Sequence, residues 1–124
     1  MHDGYIYGTI VILVEEYLRE DGSSPYREWF AGLDAQAAAK IAIATLRLAT
    51  GNTANVKWFG AFGEYRLDWG PGYRIYLARD RDAVIILFGG GTKNRQQKDI
   101  ERARALWIEF KARNKAQIRN ERRR

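Results

Sequence analysis

The chain has 124 residues, of which 46% are hydrophobic, and this is enough for one folded domain with a modest core. It contains no cysteine, which excludes disulfide bonds and cysteine metal sites. The longest apolar run, Ile10 to Val14, is too short to cross a bilayer, so no membrane partner is expected. No Lys or Arg precedes Arg19, so the basic region of a secretory signal is missing, and we expect a cytoplasmic protein.

The net charge of +6 is unevenly distributed along the chain. Residues 1–110 carry 14 basic and 14 acidic side chains, whereas residues 111–124 carry seven basic and one acidic, so the whole excess lies near the C-terminus. Residues 1–34 sum to −5, and residues 57–104 sum to +4, from ten basic and six acidic side chains. This pattern predicts a polyanionic partner such as nucleic acid, although a basic tail is also typical of a solvated helix end.

The first part of the chain is predicted to form one strand and two helices. The strand is Tyr5 to Val14, and its continuous apolar run places it inside a sheet rather than at an edge. Ser24 followed by proline is typical of a helix start, and it begins a short helix, Pro25 to Ala31. Asp34 caps an alanine-rich helix, Ala35 to Thr50, which the following glycine ends with a left-handed cap.

A β-hairpin is predicted in the middle of the chain. Its strands, Glu64 to Trp69 and Tyr73 to Leu77, alternate polar and apolar residues on either side of a Gly-Pro-Gly turn. The register that puts both apolar sets on one face pairs Tyr65 with Ile75, because a slip by one residue would expose every apolar side chain.

The same register sets Arg66 opposite Arg74 on the other face of the hairpin, which we expect to be exposed. Directly opposed like charges destabilise a sheet by up to about 1 kcal/mol. Either Glu64 and Asp68 neutralise the two arginines, or the pair awaits an anion such as phosphate, which arginine binds through two parallel hydrogen bonds. The sequence is compatible with both interpretations.

Two further strands and a long helix complete the predicted elements. The strands are Val56 to Phe59 and Ala83 to Phe88, and the second is fully buried. Three glycines, Gly89 to Gly91, end it and permit close approach of a backbone or a ligand, but they do not fit the phosphate-loop pattern. The helix begins near Gln96 and reaches at least Lys115. Its apolar residues recur at three- to four-residue spacing, which predicts a stripe that packs on the core: Ile100, Ala103, Trp107 and Phe110.

This order of elements predicts an α+β fold with a small, mostly antiparallel, twisted sheet. N-terminal helices and a C-terminal helix pack on it. We expect a single domain over residues 1–115, followed by a basic C-terminal tail at residues 116–124.

The chemistry that the chain offers is cationic. The single histidine is His2, and no carboxylates stand at metal-ligand spacing, so we predict no metal site and no cofactor. The basic residues in or next to the predicted sheet are Lys57, Arg66, Arg74, Lys93, Arg95 and Lys98.

Two stretches resemble the RelE/ParE superfamily of bacterial type II toxin–antitoxin modules. They read E-Y-R-L-D-W-G-P-G-Y-R-I-Y and I-I-L-F-G-G-G-T-K-N-R-Q-Q-K-D-I-E-R-A, and S-P-Y-R-E-W-F in the first helix fits as well. Within the superfamily the chain is similar to the HigB-like addiction module killer proteins, over about residues 23–113. The resemblance implies a RelE-like sheet and an mRNA interferase, an endoribonuclease that cleaves mRNA, often on the ribosome, by metal-independent 2′-hydroxyl attack.

The resemblance also implies catalytic roles for four basic residues. Arg74 stands in the family's G-Y-R motif, Arg66 at a basic strand position, Lys93 just after the glycine-ended strand, and Lys57 before the hairpin. Some relatives carry a catalytic tyrosine or histidine near the start of the last helix. Residues 96–99 read Q-Q-K-D here, which leaves the general acid and base unassigned.

RNA cleavage gives these residues separate expected tasks. Arg66 and Arg74 would stabilise the charge that develops on the pentavalent phosphate. Lys57 or Lys93 would accept or donate a proton, although a plain phosphate contact is the commoner role of a lysine.

Further RNA contacts are expected from Tyr76, Arg95 and Lys98. Tyr76 is the better tyrosine for stacking on a base, because the alternation of the hairpin assigns Tyr73 to the core.

Three classes of function remain open from the sequence. The first is an mRNA interferase, the second a ParE-like toxin that binds gyrase or another protein without cleaving RNA, and the third a plain nucleic-acid-binding module. For a toxin, the expected partner besides mRNA and the ribosome is a cognate antitoxin of helix-turn-helix type, encoded by the adjacent gene.

Overall fold

A computed structural model describes residues 5–6 and 9–123. Within these residues the strands are β1 (Tyr5–Ile6), β2 (Thr9–Ile10), β3 (Leu13–Glu16), β4 (Val56–Phe59), β5 (Phe62–Leu67), β6 (Tyr73–Arg79) and β7 (Val84–Thr92). The helices are α1 (Pro25–Ala31), α2 (Ala35–Ala49) and α3 (Gln96–Arg122), and a single 3₁₀ turn, Lys93–Arg95, leads into α3.

The centre of the fold is a five-stranded sheet with the order β3-β7-β6-β5-β4. The strands β4 to β7 pair antiparallel with their neighbours, and β3 alone runs parallel to its neighbour, β7. The predicted α+β class with a mostly antiparallel sheet is therefore confirmed.

The predicted register of the hairpin is also confirmed. Tyr65 pairs with Ile75, and Arg66 pairs with Arg74. This register gives the sheet two faces with different covers. The apolar side chains of the hairpin face α1 and α2 in one core cluster, and the opposite face packs against α3 in a second cluster that includes Tyr76 and Phe88.

The N-terminal helices begin and end as their flanking residues predict. The Ser24 side chain accepts a hydrogen bond from the Arg27 amide at 3.0 Å and starts α1. The Asp34 side chain accepts one from the Ala37 amide at 2.9 Å and starts α2. Gly51, with φ +88°, ends α2 in the left-handed conformation that glycine adopts most easily.

The prediction of one continuous buried strand from Tyr5 to Val14 is wrong. β1 and β2 pair with each other in a separate two-stranded sheet, and only β3 joins the main sheet, at its edge. The Ile12 amide donates to the Ala49 carbonyl at 3.0 Å instead of to a strand. Leu13 is 56% exposed. A continuous apolar run therefore does not by itself identify an interior strand.

The prediction that the three glycines end their strand is also wrong. β7 continues through them to Thr92, because β6 pairs with Gly89, Gly90 and Gly91 in turn. β3 pairs only with the first four residues of β7, Val84 to Leu87. The glycine end of β7 is therefore flanked by β6 on one side and by the open space between α1 and α3 on the other.

The helix α3 extends beyond the part that packs on the sheet. Its apolar stripe, from Ile100 to Phe110, packs against the sheet as predicted. The segment expected as a basic tail continues the helix as far as Arg122, and residues 115–123 are exposed. Among the described residues, no helix combines the length and the apolar character that crossing a membrane requires.

Candidate functional site

The carboxylate of Glu64 lies at the centre of the predicted site. Glu64 is completely buried, and its Oε1 atom lies 2.7 Å from Arg66 Nε and 3.7 Å from Arg74 Nε. The Gln96 side-chain amide donates to both carboxylate oxygens, at 3.0 and 2.8 Å. One carboxylate therefore links β5, β6 and the first residue of α3. It also offsets the repulsion between the two arginines.

The two arginines do not lie on an exposed face, so that expectation is wrong. Arg74 is only 5% exposed, because Gln96 and the start of α3 cover this part of the sheet. The Arg66 side chain remains 38% exposed. The interpretation in which acidic neighbours neutralise the pair is supported by Glu64 and also by Asp68, whose carboxylate lies 3.6 Å from Arg74 Nη1.

The guanidinium of Arg74 is only partly satisfied. Its Nη1 donates to the backbone carbonyl of Tyr73 at 3.0 Å, but its Nε is buried without a hydrogen bond to the described residues. Gly72 lies between this guanidinium and the side chain of Lys93. A Cβ on Gly72 would lie 3.3 Å from Lys93 Cβ and 3.8 Å from Arg74 Nη1. Lys93 itself is exposed, and its amide donates to the Gly72 carbonyl at 2.8 Å.

The other predicted basic residues form no ion pair with Glu64 in the described part of the chain. Lys57 pairs with Glu64 in the register of β4 and β5, so it shares the face of the cluster, and its exposed Nζ lies 5.4 Å from the Phe59 ring. Arg95 and Lys98 are exposed at the start of α3. The fold thus brings Arg66, Arg74 and Lys93 together. We name these three, with Glu64, the cationic cluster.

Tyr76 does not offer a ring for base stacking. It is 1% exposed and stacks on Phe62 in the core beneath α3, so the predicted stacking is wrong. Its hydroxyl is buried without a hydrogen-bond partner in the described part of the chain. Burial, followed by the nearby carboxylates of Glu64 and Asp99, raises the pKa of Tyr76 well above its usual value. Its hydroxyl therefore stays protonated at neutral pH.

A cavity of about 380 Å³ lies beside the cationic cluster, between α1, α3 and the glycine end of β7. The side chain of Trp29 packs directly over Gly90, and the Asp99 carboxylate packs directly over Gly91. Sequence reasoning missed Gln96, Asp99 and this cavity as parts of a site. The three glycines were the sequence feature that could have indicated this cavity. They predicted the close approach of another group, but not which group approaches.

In residues 5–6 and 9–123, no group of three or more His, Cys, Asp or Glu side chains is placed to hold a metal ion.

Comparisons with known proteins give one informative relationship. No family model matches the chain. An uncharacterized protein of Haemophilus influenzae is 39% identical over 84 residues, which cover 65% of this chain and 84% of that protein. The two proteins belong to one family. The relative carries no assigned function.

Proposed function

We propose that this protein is the toxin of a type II toxin–antitoxin module and acts as an mRNA interferase. The resemblance over about residues 23–113 motivates the proposal, and the cationic cluster is the observation that carries it. Arg66 and Arg74 hold their guanidinium groups toward one buried oxygen of Glu64, with Lys93 beside them. Charged groups that are fixed before the substrate arrives need no reorganisation during the reaction. They therefore suit the stabilisation of a transition state as well as the binding of a phosphate.

The cluster would bind a phosphate at its exposed side. The Arg66 side chain and Lys93 reach solvent, while Arg74 lies behind them and adds charge. A phosphate that approaches Arg74 competes with the exposed carboxylate of Asp68, which is 3.6 Å from Arg74 Nη1 and free to turn away. Arginine is suited to this exchange because it binds carboxylate and phosphate with the same planar geometry.

The proposed reaction is an internal transfer at phosphorus. The 2′-hydroxyl loses a proton to a base, its oxygen attacks the adjacent phosphorus, and the bond from phosphorus to the 5′-oxygen breaks. The leaving oxygen takes up a proton, and the products are a 2′,3′-cyclic phosphate and a 5′-hydroxyl. Arg66 and Arg74 stabilise the added negative charge, and Lys93 is the basic residue of the cluster that can exchange a proton, because arginine stays protonated.

The proposal places the protein in the cytoplasm with mRNA, the ribosome and an antitoxin. A free interferase would poison its host, so the toxin has to be expressed with a partner that binds it tightly. Expression without the adjacent gene should arrest growth, and a tagged protein should co-purify with the product of that gene. Normal growth together with no neighbour-encoded partner would contradict the toxin assignment.

Mapping of mRNA ends in a translation extract tests the enzymatic part of the proposal. Wild-type protein should generate new ends that carry a cyclic or terminal 3′-phosphate. The same ends should appear with naked RNA in excess chelator if the ribosome is dispensable. Arg66→Ala should reduce them by about 10²–10³-fold. Arg81→Ala, which removes an exposed arginine from the turn between β6 and β7, is the matched control and should leave them unchanged.

The alternative is a ParE-like toxin that binds gyrase or another protein without cleaving RNA. The burial of Arg74 and Tyr76 favours it, because neither side chain reaches a solvent-exposed substrate freely. Growth arrest without new mRNA ends, together with inhibition of gyrase in a supercoiling assay, would select this alternative.

A further inference from the structure

The cavity beside the cationic cluster has the form of a binding site. Its floor is the backbone of Gly89 to Gly91, and a Cβ added at Gly89 would meet no atom within 4 Å. Trp29 forms one wall, and α3 contributes Asp99 and Arg102. A cavity of about 380 Å³ is large enough for a small organic ligand, and glycine at the floor lets the ligand approach the strand closely.

Two polar groups line the cavity, and the buried hydroxyl of Tyr76 lacks a hydrogen-bond partner among the described residues. Tyr76 is 1% exposed, and its hydroxyl makes no hydrogen bond with the described residues. Asp99 is 8% exposed, and within residues 5–6 and 9–123 its carboxylate forms no ion pair. Buried polar groups are nearly always paired in folded proteins, and each unpaired one calls for an explanation. A ligand that supplies an acceptor to the Tyr76 hydroxyl is such an explanation, and the carboxylate of Asp99, which lines the same cavity, could accept hydrogen bonds from the same ligand.

The rim of the cavity is positively charged. Arg95 and Arg102 are exposed and form no ion pair in the described part of the chain. Arg19, by contrast, is already bound to Glu28 at 3.1 Å. The site therefore combines a buried carboxylate with two available guanidinium groups at its mouth. A ligand that matches it has adjacent N–H donors at one end and anionic or acceptor groups at the other.

We propose that this cavity binds the base of a guanine nucleotide. Guanine carries N1–H and the 2-amino group side by side, and these two donors match the two oxygens of Asp99. Its O6 and N7 are acceptors, which suit a hydroxyl and an arginine, and its phosphate suits the remaining rim arginine. Trp29 supplies an aromatic wall beside the base.

The position of the cavity connects it to the cationic cluster. Gly91 pairs with Arg74 across adjacent strands, so the cavity floor is one strand away from the cluster. Adjacent strands lie about 4.8 Å apart, which is less than the span of one nucleotide. In RNA, a guanine in the cavity would lie within about one or two nucleotides of a phosphate at Arg66, which is on β5, two strands from the cavity floor. That use of the site rests on the proposed function, whereas binding of a free guanine nucleotide does not.

Calorimetry with mononucleotides tests the site without any cleavage. Wild-type protein should bind GMP roughly tenfold more tightly than IMP, which lacks only the 2-amino group, and more tightly than AMP. Asp99→Asn should lower GMP affinity by at least about tenfold and remove the preference over IMP. Tyr76→Phe should also weaken GMP, although it loses no hydrogen bond in the free protein. Arg119→Gln, an exposed charge change far along α3, should bind GMP as the wild type does.

A second arm uses single-stranded oligonucleotides in which every sugar is 2′-deoxy, so that no 2′-hydroxyl attack occurs. A preference for one guanine over inosine in the oligonucleotide assigns the site to a nucleic-acid chain, and a preference with mononucleotides alone assigns it to a free nucleotide. Equal binding of guanine and hypoxanthine in both arms, or an Asp99→Asn protein that keeps the preference, overturns the proposal. Loss of RNA cleavage in Arg66→Ala with normal GMP binding separates this result from the fate of the proposed function.

Discussion

Gln96, the first residue of α3, donates from its side-chain amide to both oxygens of the fully buried Glu64 on β5, at 3.0 and 2.8 Å. This contact fixes the start of the helix over the polar face of the sheet. The same carboxylate holds Arg66 and Arg74, so the helix position and the arrangement of the cationic cluster depend on one residue.

Glu64→Gln is therefore expected to destabilise the fold. The substitution leaves Arg74 buried without its main opposite charge, and breaking a buried pair in this way costs about 3 kcal/mol, the lower end of the usual range because Arg66 is partly exposed. Urea unfolding measures the change. Glu101→Gln, the same chemical change at an exposed position of α3, should stay within about 0.5 kcal/mol of the wild type. Equal stability of the two variants would show that Glu64 does not organise the cluster.

Gly90→Ala tests the close packing of α1 on β7. A Cβ at this position would lie 2.5 Å from three ring carbons of Trp29, so the indole has to move, at a cost of roughly 1–3 kcal/mol. Gly32→Ala is the matched control, because Gly32 has an ordinary φ of −84° and its nearest atom would be 3.6 Å away. Thermal unfolding of both proteins measures the difference in stability. A Gly90→Ala protein as stable as the Gly32→Ala protein would refute the close packing of Trp29 on Gly90.

The sequence predicts well those features that depend on neighbouring residues. Period-two alternation on both sides of the Gly-Pro-Gly turn is local, and it gives the pairing of Tyr65 with Ile75 without further information. Ser24 and Asp34 likewise act on the amides three residues later, so the starts of α1 and α2 are predicted correctly. The apolar stripe of α3 is likewise a local feature, because the spacing of its apolar residues alone identifies the buried face of the helix.

The features that the sequence did not predict depend on distant parts of the chain. Nothing in the polar stretch at Gln96 indicates that it returns over Glu64, 32 positions earlier, and the hairpin face therefore appeared exposed. Tyr76 was misassigned for the same reason, since its burial comes from α3. The edge position of β3 follows from its pairing with β7, which lies about 70 residues further along the chain.

Alkaline pH should destabilise the protein through its buried tyrosines. Burial, and then the charge of Glu16, raises the pKa of Tyr26 to about 12, whereas an unfolded tyrosine ionises near 10. Tyr26 therefore contributes its full stabilisation below pH 10, and this contribution falls by about 1.4 kcal/mol per pH unit as the pH rises toward 12. Tyr76, whose pKa is also raised, adds a loss of the same sign.

Urea unfolding of the wild type and of Tyr26→Phe at successive pH values between 8 and 12 measures this contribution. The variant should lose stability less steeply above pH 10, while both proteins should show the same slope between pH 8 and 9. Parallel curves over the whole range would mean that Tyr26 ionises as easily in the folded protein as in the unfolded one.

Arg66 and Arg74 should separate activity from stability. Arg66 is partly exposed, and Glu64 keeps Gln96 and Arg74 when Arg66 is removed, so Arg66→Ala should cost at most about 1 kcal/mol of stability. The variant should nevertheless cleave RNA about 10²–10³-fold more slowly if Arg66 stabilises the transition state.

Arg74→Ala should lose both stability and cleavage activity. Arg74 is 5% exposed, and its removal leaves Glu64 with one cation fewer in a buried site, at a cost of about 3 kcal/mol. Arg74→Lys keeps the charge but not the planar geometry, and should fold better than Arg74→Ala while cleaving poorly. Unfolding curves and cleavage rates per folded molecule, measured with Arg81→Ala as the control, complete the test. Full cleavage by a folded Arg66→Ala protein would remove the cationic cluster as the site of the reaction.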